Sequence, residues 1–357
     1  MRRPTLTRLG SAFSLALACL GACQNLSPNT DPTSALVRFD RDDGQMLPPI
    51  ADREWLAAWP AWLASCRALL NAAQPARSAW QPVCIRAQQL QPQTGGQVRD
   101  FFLQHMDRYR VVALQGESAA GEPVQAHTTG LVTAYFEPEL EGSRKPIEPF
   151  VVPVYRAPKA VPTAARSELQ ASGQLQGDEL LWLRDPLEAF VLEVQGSGRV
   201  HLTDGSSVRL AYAANNGHAY RSIGRWLVDQ GELEPQAVSL QAIVQWAHAH
   251  PQRVQELLNQ NPRVVFFREL AVDDASAGPV GTLGVALTAE VSVAVDPRCL
   301  PLGAPLLLQT TAPSNEALAR IVMAQDTGSA IRGALRIDWF WGQGAAAAQF
   351  ADRKSVV

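Results

Sequence analysis

Two aspartates, Asp326 and Asp338, bracket the glycine-punctuated stretch Gln325–Gly342 (QDTGSAIRGALRIDWFWG), which ends in a run of aromatic residues. A pair of carboxylates can do general acid–base work when the environment holds one of them protonated. Taken alone, such a pair is also an ordinary feature of turns and solvated faces. In IVMAQD, strand alternation puts Val322, Ala324 and Asp326 on one face and Ile321, Met323 and Gln325 on the other. Gly328 and Gly333 permit a tight turn, after which Leu335, Ile337 and Trp339 oppose Arg336, Asp338 and Phe340. The stretch therefore reads as the floor of an active site, with Asp338 within or at the end of a strand.

The elements that must position this floor follow from length and pattern. At 357 residues the chain exceeds one typical domain of roughly 150 residues, which suggests about two. A net charge of −3 leaves no basic footprint for nucleic acid, so no nucleic-acid partner is expected and a neutral or zwitterionic polymer is the more natural one.

Arg2, Arg3 and Arg8 precede the apolar run Leu9–Leu20 and then Leu20-Gly21-Ala22-Cys23, the layout of a secretory signal (1–22) ending in a lipoprotein box. Cys23 is the expected lipidation site; an ordinary signal cut nearby, or a cytosolic chain with an apolar start, are the alternatives. Gln24 resembles the sorting pattern of outer-membrane lipoproteins, which places the protein on the periplasmic face of that membrane, attached through a lipid anchor. Residues 23–50 are polar, proline-bearing and without sustained period, and read as a tether. Cys66 and Cys84 lie on neighbouring helical patterns and are read as a disulfide, with two buried thiols as the alternative. Cys299 is left over as a packing residue.

Helical spacing recurs at Trp55, Trp59, Trp62, Cys66 and Leu69, with Pro60 marking the first turn, and again at Trp80–Leu90 and Val98–Tyr109. From Thr128 the texture becomes β: TTGLVTAYFEPEL, then FVVPVYRAP as an edge, then LEAFVLEVQGSG as a strand, then a hairpin turning at Asp204-Gly205. Helices are expected after Asn215, with Gly231 ending the first, and through SLQAIVQWAHAH and Pro251–Gln260. His248 and His250, at i and i+2, face apart and make no metal site, and no metal or cofactor is expected. RVVFFREL, LGVALTAEVSVAVDP and APLLLQT return to strands. Helices, strands, a helical middle and strands again describe a discontinuous domain with an insertion.

Eight stretches in order carry a family resemblance: TAYFEPELEGSR (133–144), VPVYRAP (152–158), VQGSGRV (194–200), NNGHAYRSIGRWLVDQGEL (215–233), SLQAI (239–243), NPRVVFF (261–267), AVDPRCLPLG (294–303) and QDTGSAIRGALRIDWFWG. Together they resemble the membrane-bound lytic murein transglycosylase A (MltA) family. The last two also look like the three-aspartate barrel of barwin- and expansin-like proteins, here Asp296, Asp326 and Asp338.

The resemblance implies a mainly β protein with N-terminal and inserted helices. Its double-psi β-barrel is formed by residues 51–139 and 261–350, a smaller β domain (140–260) is inserted, and a groove runs between them. It implies cleavage of the β-1,4 bond between N-acetylmuramic acid and N-acetylglucosamine in peptidoglycan glycan strands, leaving a 1,6-anhydromuramoyl end. A non-catalytic, expansin-like wall-loosening module is the alternative. Asp338 takes the acid's place, supported by Asp326, and burial by Trp339 and Phe340 with a like charge from Asp326 or Asp296 would raise its pKa. Tyr135 and Tyr220 are expected to present flat faces to sugars. Glu137, Gln195, Ser197, Asn216 and His218 are expected to bond hydroxyl and acetamido groups, and Asp296 is grouped with these contacts. Members of the family continue beyond the FWG motif, so 351–357 is an atypical ending, and a missing last strand would leave an edge unpaired.

Overall fold

The computed structural model describes residues 36–42, 47–73, 76–117, 123–271, 277–311, 316–351 and 355–356. The expected leader and Cys23 lie outside these. The chain opens with β1 (Leu36–Arg41), α1 (Asp52–Leu70), α2 (Ala76–Gln89), α3 (Gly95–His105), β2 (Tyr109–Glu117), β3 (Pro123–His127) and β4 (Leu131–Glu137). It continues through β5 (Glu139–Ser143), β6 (Val152–Tyr155), α4 (Arg166–Ser172), β7 (Glu179–Leu183), α5 (Pro186–Gln195), β8 (Ser197–Leu202) and β9 (Ser207–Asn215). Then come α6 (Ile223–Asp229), α7 (Leu240–Ala249), α8 (Val254–Asn259) and β10 (Val265–Ala271). The last part holds β11 (Ser292–Ala294), β12 (Pro305–Thr311), β13 (Ala317–Asp326), β14 (Arg336–Gln343), α9 (Gly344–Ala351) and β15 (Ser355–Val356).

These strands make three sheets, ordered β1-β2-β3, β10-β9-β8-β5-β7-β6 and β12-β13-β11-β14-β4-β15. The third draws β4 from before the middle of the chain and β11 to β15 from after it, so the intervening segment is an insertion with its own sheet. β10 pairs with β9 in that inserted sheet, which carries the insertion through residue 271 rather than 260. No closed barrel is formed among the described residues; β12 and β15 end the third sheet. The outer edge of β4 is paired, Ser355 and Val356 lying against Val132 and Leu131.

Four expectations are corrected. Leu36–Arg41, read as tether, is a strand antiparallel to β2, and its alternation of apolar and charged residues was the missed signal. Pro60 sits inside α1, which begins eight residues earlier at Asp52. LEAFVLEVQ is a helix: Asp185 caps it by accepting from Leu187 N at 2.7 Å, Pro186 occupies the first turn, and Gly196 at φ 79° ends it. LGVALTAEVSVAVDP yields only Ser292–Ala294 as strand, because Glu290 adopts φ 61° and its N–H donates to Phe340 O at 2.8 Å.

The core under the site is aromatic. Trp59 meets Phe101 edge to face at 5.0 Å and Trp62 meets Phe102 at 5.6 Å, and this cluster packs on Ile321 and Met323 of β13. Cys66 and Cys84 are bonded, clamping α1 to α2. Val322 and Ala324 point to the opposite cluster with Ile337 and Trp339, as the alternation requires.

One polar residue enters the α1 interface. Gln325, fully buried, donates from Nε2 to Ala61 O (2.8 Å) and Ser65 Oγ (2.9 Å) and accepts from Ser292 Oγ (2.6 Å). Every hydrogen-bonding atom of its amide group is used. Gln325→Leu should lower unfolding free energy by about 2–3 kcal/mol in urea titration, since it orphans two buried hydroxyls and leaves the apolar contacts in place.

Candidate active site

Asp338 sits in mid-strand with both backbone neighbours occupied: Ala294 of β11 is opposite it on one side and Thr133 of parallel β4 on the other. Alternation then gives Asp338 and Phe340 one face of β14, and Thr133 and Tyr135 the same face of β4. Thr133 Oγ1 donates to Asp338 Oδ1. The Tyr135 and Phe340 rings pack at 5.3 Å. Trp339, expected beside Asp338, belongs to the other face and to the core cluster of Ile337 and Val293.

Asp326, at the end of β13, is held on both oxygens. Tyr135 OH donates to Oδ2 at 2.8 Å, while Thr282 donates to Oδ1 from its backbone N (2.9 Å) and hydroxyl (3.0 Å). Thr133 and Thr282 are the site residues that sequence reasoning missed. Thr133 was legible two positions before Tyr135, on its face; Thr282 lies in a loop and carried no periodic signal.

Burial pushes the Asp338 carboxyl above its ordinary range, and the nearby Asp326 charge adds to this; the Thr133 hydrogen bond and the Arg336 cation oppose it without prevailing. Burial likewise holds the Tyr135 phenol well above its usual value, with Asp326 reinforcing it, so the phenol stays a donor. Asp296 behaves in the opposite way. Burial alone would raise it, but the hydrogen bonds of Arg298 (2.8 and 3.0 Å) and the backbone N–H groups of Gly333 (2.8 Å) and Arg298 (3.1 Å) outweigh that and bring it down to about 2. Asp296 is fully buried and ties the turn at Gly333 to the strand below, and Asp326 is the acid whose charge reaches Asp338.

A cavity of roughly 260 Å³ runs from Thr133 and Ala134 between α5, α6 and α7, lined also by Val191, Val194, Gln195 and Tyr220. Gln195 Oε1 accepts from Phe136 N at 3.1 Å, which fixes the end of α5 to β4. Ser197 follows Gly196 as the first residue of β8.

The structure assigns three expected sugar contacts to other partners. Glu137 is fully buried and ion-paired with Arg209 at 2.7 Å, with Arg199 at 3.9 Å. Asn216 donates to Ala164 O and Pro262 O at 2.8 Å each and accepts from Val264 N at 2.9 Å. His218 Nε2 lies 2.8 Å from Thr163 O. These contacts brace the insertion; Glu137 and Asn216 are buried, while His218 is half-buried. Among the described residues no group of three or more His, Cys, Asp or Glu could hold a metal ion.

Because the Asp296 value falls from 3.8 to about 2 on folding, its contribution to stability is present above the unfolded value and is lost as pH falls through the folded one. Arg298→Ala should therefore destabilise the protein by about 1–3 kcal/mol near neutral pH. In denaturant melts run at successively lower pH, the gap to the parent protein should narrow as pH approaches 2.

Known proteins resemble this chain in sequence and fold. Residues 131–165 and 159–268 match the MltA specific insert domain, and residues 291–356 match the 3D domain. Membrane-bound lytic murein transglycosylase A of Escherichia coli K12 is 36% identical over 211 residues, 56% of this chain and 56% of that protein. The chain thus spans about half the length of the curated relatives it matches. Among solved structures, the lytic transglycosylase LtgG of Burkholderia pseudomallei is 41% identical with a TM-score of 0.56, covering 90% of this chain and 96% of that one. MltA of Neisseria gonorrhoeae is 31% identical with a TM-score of 0.67, covering 85% and 86%. With an MltA insert lodged in a sheet completed by a 3D domain, and relatives above 30% identity aligned over most of their length, the chain belongs to the MltA family.

Proposed function

We propose that the protein is a lytic transglycosylase that cleaves the β-1,4 bond between N-acetylmuramic acid and N-acetylglucosamine and leaves a 1,6-anhydromuramoyl end. The observation that carries this reading is a carboxyl, Asp338, raised above its ordinary range by burial and hydrogen-bonded by Thr133, which lines the cavity between β4 and the helices of the insertion. Relatives named as lytic transglycosylases support it.

The chemistry needs one acid. Asp338 gives its proton to the glycosidic oxygen as the C1–O bond breaks. The resulting carboxylate then takes the proton of the muramic acid 6-hydroxyl, whose oxygen forms the new bond to C1. Atoms balance without water, and no second carboxylate acts as nucleophile, unlike the two-carboxylate glycosidases. Thr133 occupies Oδ1 and orients the carboxyl so that the proton resides on Oδ2. Asp326, saturated by Tyr135 and Thr282, places a negative charge that favours the protonated form of Asp338 and would stabilise positive charge developing at C1. Gln195 and Tyr220 line the groove where sugar rings would lie. Attachment through a lipid on Cys23, facing the periplasm from the outer membrane, rests on the leader pattern, and the curated relatives are named membrane-bound.

Incubated with purified sacculi, the protein should release anhydromuropeptides, identified by mass. Asp338→Asn should reduce release by about 10³-fold without unfolding the chain, and Tyr135→Phe by about 10-fold. Since the protonated acid is the active form, activity should be present below the raised Asp338 value and decline as pH rises through it. Muramic acid at a free reducing end as the sole product would overturn the mechanism, and binding without soluble product would favour a wall-loosening module.

A further inference from the structure

Among the described residues, the sheet β1-β2-β3 packs on the body at one end and presents an aromatic pair at the other. Val37, Val111 and Ala113 pack on the core cluster of the site sheet. By register and alternation, Phe39 and Arg41 share the face of Val37, and Tyr109 that of Val111. Beyond the packed end, Phe39 and Tyr109 are 44% and 49% exposed, with rings edge to face at 6.5 Å.

Arginine–aspartate pairs lie on both faces of this end, Arg41 on the face of the aromatic pair and Arg38 with Asp40 on the opposite one. Arg38 meets Asp40 at 2.6 Å, Arg41 meets Asp107 at 3.1 Å and Arg108 lies 3.9 Å from Asp42. The first two pairs are exposed; such contacts hold little free energy and exchange readily for another anion. An edge that joins two aromatic rings to Arg41 on one face, with Arg38 on the other, suits the headgroup layer of a bilayer, where rings sit at the interface and guanidinium groups meet phosphate.

Chain length brings that layer within reach. Leu36 follows Cys23 by 13 positions. A segment of that length spans about 20 Å on average and about 45 Å at full extension. Because β1 is docked on the body, the tether is roughly half as long as the run 23–50 first suggested. We propose that the Phe39–Tyr109 edge docks onto the phosphate-bearing headgroups of the membrane that holds the anchor, fixing which way the body faces. This rests on the reading of Cys23 as lipidated.

The test uses mature lipidated protein carrying Tyr109→Cys. Cys299 is buried and Cys66 and Cys84 are bonded, so a polarity-sensitive dye reports the introduced thiol. In vesicles of phosphatidylethanolamine and phosphatidylglycerol containing a headgroup nitroxide lipid, the dye should be quenched about threefold more than the same dye at Ile85→Cys, an exposed position on α2. Adding Phe39→Ser should bring quenching down to the Ile85 level while leaving the thermal melt unchanged. Equal quenching at both positions overturns the proposal. Flotation of the same vesicles reports the anchor separately: protein that floats unquenched defeats docking alone, and protein that fails to float defeats the anchor and the docking with it.

Discussion

The parallel pairing of β4 with β14 is the constraint on which the rest depends. Its register sets Thr133 against Asp338 across a separation of 205 residues, so the site exists only when two distant parts of the chain lie side by side. Parallel neighbours cannot be joined by a tight turn, and the connection here contains a whole inserted sheet and its helices. β14 is also flanked by β11 on its other side, which leaves the Asp338 side chain one direction in which to point. A carboxyl in an edge strand would meet water; this one lies inside the sheet, on the face it shares with Phe340, and is bonded by Thr133.

The same fold contains the control for that environment. Asp296 and Asp338 are both raised by burial, yet they end on opposite sides of the ordinary carboxylate range. Asp296 receives a guanidinium and two backbone N–H groups, all of which favour its charged form. Asp338 receives one hydroxyl, faces an acidic neighbour, and has Arg336 as its opposing cation. Burial is common to both; the count and kind of hydrogen-bond donors separates a structural carboxylate from an acid.

Legibility from sequence followed the range of the interaction. Alternation around Asp326 and Asp338 placed Ile321 and Met323 on one core and Ile337 and Trp339 on another, because period two survives any sheet order. The Cys66–Cys84 bond was readable from its position on adjacent helices. The helix at Pro186–Gln195 was misread because Phe190, Leu192 and Val194 alternate by chance, while the Asp185-Pro186 start and Gly196 stop were stronger signals. The internal partners of Glu137 and Asn216, namely Arg209, Ala164 and Pro262, could not be read from their polar motifs. Nor could the contrast between Asp296 and Asp338 be read, because Arg298 and Arg336 lie equally near their aspartates in sequence and only the strand geometry separates them.

The width of the groove is set by the way one strand leaves the site. β4 ends at Glu137 and β5 begins at Glu139, so only Pro138 separates the sheet that holds Asp338 from the inserted sheet. Pro138 has a restricted φ, and both sides of the crossing are tied: Glu137 to Arg209 of β9, and Phe136 N to Gln195 of α5. Breaking the buried ion pair would leave a charge without water, which makes rotation about this point costly. Tyr135, Phe136 and Glu137 are consecutive, and they bind Asp326, α5 and β9 in turn. A displacement of the insertion is therefore transmitted to the phenol that orients Asp326, so that groove geometry and the electrostatics of the acid are set by the same three residues.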